Sequence, residues 1–276
     1  MADRIQMLIE IALQEDIGTG DITSDALFGD ELVEKSGVLL AKEDLVIAGL
    51  EIARRVFLTV DHHLNWERYV EDGARVKKGT EVAKVSGRFK SLLRAERTAL
   101  NFLQHLSGVA TLTAKFVEKV KGTKAQILDT RKTLPGFRAL EKMAVRVGGG
   151  KNHRLGLYDR YLIKDNHLMG ISIAEAVKRA KAANVNRVPI EVEIQGIDQI
   201  EEAIDASADI LMTDNFSISD LKQAVGQVAG RAKIEASGGI NLENVRAYAE
   251  TGVDFLSIGT LTHSARAVDL SLEILS

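Results

Sequence analysis

The sequence predicts an α/β protein whose C-terminal part is an incomplete parallel α/β barrel. Three observations carry this. From residue 125 on, short apolar runs (127–128, 161–163, 190–194, 209–213, 233–236, 255–258) alternate with segments of helical period (roughly 138–146, 172–183, 197–206, 218–229, 241–251, 264–274). Such strand-then-helix repeats imply a parallel sheet with helical crossovers. About six units fit the available length, short of the roughly 250 residues of a full eight-fold barrel. Charged and small residues collect just after the runs, where barrels carry their functional groups.

The N-terminal part reads differently. Ile5, Leu8, Ile9, Ala12 and Leu13 share one face of a helix over 3–14, and the loop Glu15–Ser24 carries two glycines and a helix cap. Residues 38–41 and 45–48 are short strand candidates, and Gly49 to Phe57 reads as a helix. Residues 66–89 look all-β, with turn glycines in Glu71–Thr80 between alternating segments. That stretch resembles the hammerhead of biotinyl and lipoyl carrier domains. No Met flanks a Lys as in a biotin site, so it reads as a structural cousin and not a carrier. Residues 92–121 form the longest helical stretch, with a break expected at Gly108 and Arg94, Glu96 and Arg97 near its start. The helix dipole opposes an Arg there, which suits it to reaching an anion.

In the barrel part the apolar runs end on informative residues. Asp129, Arg131 and Lys132 follow the first, and Lys164, Asp165 and Asn166 the second. Glu193 lies in the third run, and Asp214 and Asn215 end the fourth. Adjacent strands are about 4.8 Å apart, so Glu193 and Asp214 can share one pocket. Glu191 shares the strand face of Glu193, which is nearer the C-terminal end. Ser237-Gly238-Gly239 and Gly259-Thr260 follow the last two runs and suit a phosphate held by backbone N–H groups.

Charge is concentrated here. Nine Lys/Arg (131, 132, 138, 142, 146, 151, 154, 160, 164) face four acids between Asp129 and Asp165, a local +5 in a chain of net charge −3. A dense basic cluster beside apolar runs suits a pocket for small polyanions. Gly148-Gly149-Gly150-Lys151-Asn152-His153 lacks the Walker spacing, and His153-Arg154 offers a donor and a bidentate fork for carboxylate or phosphate. The two carboxylates can hold Mg²⁺ or face a developing positive charge.

Composition narrows the classes. The 276 residues, 45% hydrophobic and 27% charged, suit one large domain or two. The absence of cysteine removes thiolate chemistry and Cys-based zinc sites, and fits a cytoplasmic protein. No His spacing suggests zinc. The slightly acidic balance argues against nucleic acid, and no apolar run reaches the ~18 residues of a membrane span.

The runs Ala95–Asn101 and His105–Gly108, Asp129–Gly136, Gly148–Gly150 with Asn152–Gly156, Ile163–His167, Glu191–Glu193, Asp214-Asn215, Ser237–Gly239 and Thr251–Asp254 resemble the quinolinate phosphoribosyltransferase (decarboxylating nicotinate-nucleotide pyrophosphorylase) family over nearly the whole chain, and Glu15–Ser24 looks like the same family. The resemblance implies an N-terminal α/β sandwich over 1–108, joined by a C-terminal helix 266–276, and an open barrel over 109–265. It implies quinolinate and phosphoribosyl pyrophosphate as substrates, with Mg²⁺ as cofactor and a homodimer whose sites the partner completes. Carried onto this sequence, Arg131, His153, Arg154 and Lys164 would line the quinolinate site, with Arg97 from the partner subunit. Lys132 would help with the pyrophosphate. Glu193 and Asp214 would serve the ribose and the metal, directly or through water. Ser237, Gly238, Gly239, Gly259 and Thr260 would hold the 5′-phosphate. Lys132, Lys164, Glu193 and Asp214 are the expected catalytic set. A different chemistry, a Schiff-base aldolase or lyase on Lys164, is the alternative the residues leave open, as are a paralogous pyridine phosphoribosyltransferase and a sensor of phosphorylated metabolites.

Overall fold

The structure, a computed structural model, describes residues 2–29 and 32–275. Met1, Asp30, Glu31 and Ser276, which the expected ranges include, lie outside it. The chain forms two compact units, one running to Leu112 and taking in the chain from Ala265 on, the other Thr113–Ser264.

The first unit opens with α1 (Ala2–Ile17) and α2 (Ile22–Phe28), the latter capped by Asp21, whose carboxylate accepts the Ser24 N–H at 3.0 Å. There follow β1 (Glu34–Ala41), β2 (Leu45–Val46), α3 (Leu50–Val60), β3 (Asn65–Arg68), β4 (Arg75–Val76) and β5 (Glu81–Arg88). The long helix α4 (Phe89–Lys119) then leads across the boundary. It runs unbroken through Gly108, against the expected interruption. Glycine serves there for clearance: a Cβ would lie 2.2 Å from the Arg266 carbonyl oxygen. Leu92, Ala95, Leu103 and Leu106 of α4 are fully buried, as their helical spacing requires.

The second unit carries β6 (Gln126–Leu128), α5 (Arg138–Val147), β7 (Tyr161–Ile163), α6 (Ile173–Ala183), β8 (Ile190–Ile194), α7 (Ile200–Asp205), β9 (Ile210–Asp214), α8 (Ile218–Val228), β10 (Lys233–Ser237), α9 (Val245–Ala249), β11 (Phe255–Ser257) and α10 (Thr260–His263). Its six strands pair in parallel in the order β6-β11-β10-β9-β8-β7. The first strand therefore lies beside the last, as in a barrel, and the sheet is open between β6 and β7. The segment joining those two strands is the basic one, and part of it docks on the free edge of β6 through a parallel bridge from Lys151 to Leu128.

The chain ends in β12 (Leu270–Ile274), and the helix expected over 266–276 is corrected to a strand. Leu270 and Leu272 are buried while Glu273 is exposed, a period of two that five residues barely distinguish from a helical one. The edge of β1 decides the matter: β12 pairs antiparallel with it and completes a four-stranded sheet, β12-β1-β5-β3. No helix among the described residues is long and apolar enough to cross a membrane.

Candidate active site

Strand geometry builds a cavity at the C-terminal ends of the parallel strands. Side chains two apart on a strand share a face, so Leu162 with Lys164, and Met212 with Asp214, point the same way. With Glu193, Ser237 and Ser257 from the neighbouring strands they line a cavity of about 310 Å³. Register puts Asp214, Ser237 and Ser257 at one level. The wall is completed by Thr130, Arg131, Lys132, His153 and Arg154 from the segment between β6 and β7.

The nine cations between Asp129 and Asp165 divide sharply. Arg131, Lys132, Arg154 and Lys164 face the cavity. Lys151 is exposed, and the other four serve structure. Arg138 donates to the Thr133 hydroxyl and the Leu155 carbonyl, each at 3.1 Å, and holds the loop together. Arg146 bonds Asn152, and Arg160 reaches Glu191 at 3.4 Å. Lys142 is buried against Asp129. The triple glycine is a helix terminus: Gly148 N–H bonds Ala144 and Gly149 takes φ +91°, a conformation glycine adopts without strain.

Among the described residues no carboxylate makes an ion pair with Arg131 or Arg154, and the Arg131 Nε is buried without a partner. Burial, and then the charge of Arg131, hold the Arg154 guanidinium below its usual range. Two guanidiniums set in proximity without a carboxylate ion-paired to either are a site for an external anion.

Lys164 is ion-paired to Glu193, and Asp214 accepts the Asn215 side-chain amide at 3.0 Å. That pairing removes the apolar surroundings a Schiff-base lysine needs, so the aldolase reading loses its physical basis. Below this level Glu191 and Glu235 are fully buried beside His153, which is nearly so. The ligating atoms of the three lie within 4.8 Å of one another. His153 shows its ring to the cavity, but its nitrogens are turned away: Nδ1 accepts the Arg154 backbone N–H at 2.8 Å, and Nε2 stands 3.0 Å from Glu191, out of line for a hydrogen bond. The donor expected of His153 thus lies buried beside Glu191, while the ring lines the cavity. Sequence reasoning missed Glu235 and took Glu191 only as the lesser twin of Glu193. A charged residue inside an apolar run was the available signal.

Gly238 (φ +95°) and Gly239 (φ +61°) follow β10, and a Cβ on Gly238 would lie 2.1 Å from the Asn215 side chain, so only glycine fits. Gly259 precedes α10, and Thr262 donates to the Lys132 carbonyl at 2.6 Å, tying that helix to the basic loop. Of the five residues expected at a phosphate, Ser237 lines the cavity, while Gly238, Gly239, Gly259 and Thr260 lie at the same strand ends without lining it. Arg97 is exposed on α4 in the first unit.

The fold and the cavity define an α/β-barrel enzyme for small, highly anionic molecules. Residues 21–107 match the description "Quinolinate phosphoribosyl transferase, N-terminal domain" and residues 109–273 its C-terminal domain. The chain is 42% identical over 272 residues to the probable nicotinate-nucleotide pyrophosphorylase (carboxylating) of Bacillus subtilis, covering 98% of this chain and 93% of that one. It is 40% identical over 290 residues to the mitochondrial quinolinate phosphoribosyltransferase (decarboxylating) 2b of Nicotiana tabacum, covering 98% and 82%. A solved nicotinate-nucleotide pyrophosphorylase from Francisella tularensis superposes with a TM-score of 0.94 at 41% identity, covering 100% and 97%. The chain belongs to the quinolinate phosphoribosyl transferase family.

Proposed function

We propose that this enzyme transfers the phosphoribosyl group of phosphoribosyl pyrophosphate to quinolinate, with decarboxylation, to give nicotinate mononucleotide, pyrophosphate and CO₂. The observation that carries the reading is the pair of guanidiniums, Arg131 and Arg154, facing a cavity without a protein carboxylate as partner. Quinolinate brings two carboxylates, and each can take a planar two-point grip from an Arg.

The other groups fall into place around that substrate. The ring nitrogen attacks the ribose C1 as the bond from C1 to the pyrophosphate oxygen breaks. Positive charge grows on the ribose in between, and the carboxylates of Glu193 and Asp214 line the cavity where it develops. Lys132 meets the departing pyrophosphate, and Lys164 neutralises Glu193 until substrate arrives. Ser237, with the backbone at Gly238, Gly239, Gly259 and Thr260, would hold the 5′-phosphate. The ribosylated ring is a pyridinium and accepts the electron pair when the bond to the 2-carboxylate breaks. That carbon then takes a proton from solvent. Glu193 and Asp214 present oxygen donors of the kind Mg²⁺ takes, directly or through water, and the ion would supply positive charge to the leaving pyrophosphate.

The homodimer is part of the same proposal, with Arg97 of each chain serving its partner's site. Leu157, Tyr158 and Val185 are 74%, 75% and 89% exposed and line a groove that also includes Arg154, apolar area that an interface would cover. The test is incubation with quinolinate, phosphoribosyl pyrophosphate and Mg²⁺. Nicotinate mononucleotide and CO₂ should appear in equal amounts, and an enzyme that forms neither removes the reading.

A further inference from the structure

Neither Asp129 nor Lys142 lines the cavity, yet each is bonded to the segments that do. Lys142 sits on the buried face of α5 with 2% of its side chain exposed, and Asp129, at the end of β6, has none. The ammonium bonds Asp129 and also donates to the His153 carbonyl at 3.0 Å. The Asp129 carboxylate accepts the His153 N–H at 2.9 Å and the Asn152 side-chain amide. That amide donates in turn to the Lys142 carbonyl at 2.9 Å. Backbone bonds finish the docking: Lys151 N–H to the Ile127 carbonyl at 2.8 Å and Asp129 N–H to the Lys151 carbonyl at 3.2 Å. Burial pushes the Asp129 carboxyl up and the Lys142 ammonium down, each opposed by the other's charge.

We propose that Asp129 and Lys142 are positioning residues that set the Thr130–Lys132 loop against the His153-Arg154 segment and so fix the spacing of the guanidiniums of Arg131 and Arg154. A buried ion pair is no more stabilising than well-packed apolar side chains of the same volume, so stability does not call for it here. Its distinguishing property is directional. It joins the last residue before one cavity loop to the backbone of the other, with each polar atom used. An apolar pair would fill the space and leave the His153 N–H and carbonyl unpaired, so that only the backbone bridge at Lys151 would hold the segment in register. Displacements near 1 Å at such a site are enough to cost about two orders of magnitude in rate.

The inference rests on the cavity being the substrate site, and the test separates the two claims. Wild-type protein and the double variant Asp129→Leu/Lys142→Met are compared by calorimetry with quinolinate, pyrophosphate and ribose 5-phosphate, alongside thermal melting. The wild-type titrations test the site. The ratio of variant to wild type tests the positioning. We expect a lowered melting temperature, because the His153 N–H and carbonyl lose their partners, affinity for quinolinate and pyrophosphate weakened by on the order of tenfold or more, and ribose 5-phosphate, held from β10 and β11, changed by less than about threefold. Unchanged affinities overturn the proposal. So does an equal loss for all three ligands, which marks a general scaffold. A wild-type protein that binds none of the three removes the proposed function, and the positioning claim with it. Should the double variant fail to fold, Asn152→Ala decides, since it removes the amide shared by Asp129 and the Lys142 carbonyl, together with a bond from Arg146, which does not line the cavity: the same selective weakening is expected, and its absence overturns the proposal.

Discussion

The imidazole Nε2 of His153 stands 3.0 Å from the Glu191 Oε2, in a layer beneath the cavity that is almost closed to solvent. A backbone N–H can only donate, so the bond from Arg154 N–H to Nδ1 places the ring proton on Nε2, toward Glu191. Glu235 completes the cluster, 3.5 Å from the same nitrogen, and accepts the Ser257 hydroxyl. Arg160 is the neighbouring cation, on the Glu191 side.

Burial, and then the negative charge of Glu191, push the Glu235 carboxyl well above its ordinary value. Between the unfolded carboxyl pKa, about 4.3, and that raised value, the folded protein binds a proton that the unfolded chain has lost. This contribution to stability is therefore greatest below pH ~4.3 and falls as pH rises toward the folded pKa. Glu235→Gln, neutral at every pH, should flatten the decline in melting temperature above about pH 5. Parallel melting curves for wild type and variant from acid to neutral pH would show that Glu235 does not hold the proton.

Arg131→Lys keeps the charge and loses the planar fork. With one charge-assisted bond gone, worth about 1.5–3 kcal/mol, kcat/KM for quinolinate should drop roughly 10- to 150-fold. Steady-state kinetics give the answer directly, and wild-type efficiency would take Arg131 out of the substrate grip.

Nicotinic acid lacks the carboxylate at ring position 2. It would leave part of the Arg131–Arg154 pair without an anion, and a site built to bind a polar group rejects analogues that lack it. A preference for quinolinate of about 100-fold or more in kcat/KM is expected. Equal turnover of the two acids would point to a phosphoribosyltransferase for another pyridine.

For the proposed composite site of a two-fold dimer, Arg97→Ala and Lys164→Ala should each be nearly inactive alone. Mixed and reassembled, they should regain activity, because a heterodimer has one site with both residues intact. No recovery, with subunit exchange verified by mass spectrometry, would mean that Arg97 acts in its own subunit or not at all.

What the sequence determined by itself is the part governed by local periodicity and chain order. Apolar runs alternating with helical segments require a parallel sheet, and a parallel sheet gathers residues from distant positions, such as Lys164, Glu193, Asp214 and Ser237, at one end of its strands. The motifs at those ends sufficed for the family. Tertiary structure decided what depends on side-chain direction and on partners far along the chain. Nine cations counted in one segment could not be sorted from their order. Packing turned Arg131, Lys132, Arg154 and Lys164 to the cavity and sent Lys142 to Asp129. The same holds for His153, one of whose nitrogens accepts a backbone N–H while the other is buried beside a strand 38 positions on, and for the last segment, which became β12 because the edge of β1 was open to it. Periodicity is a property of a few consecutive residues, whereas burial and charge pairing are set by whatever the rest of the chain brings alongside.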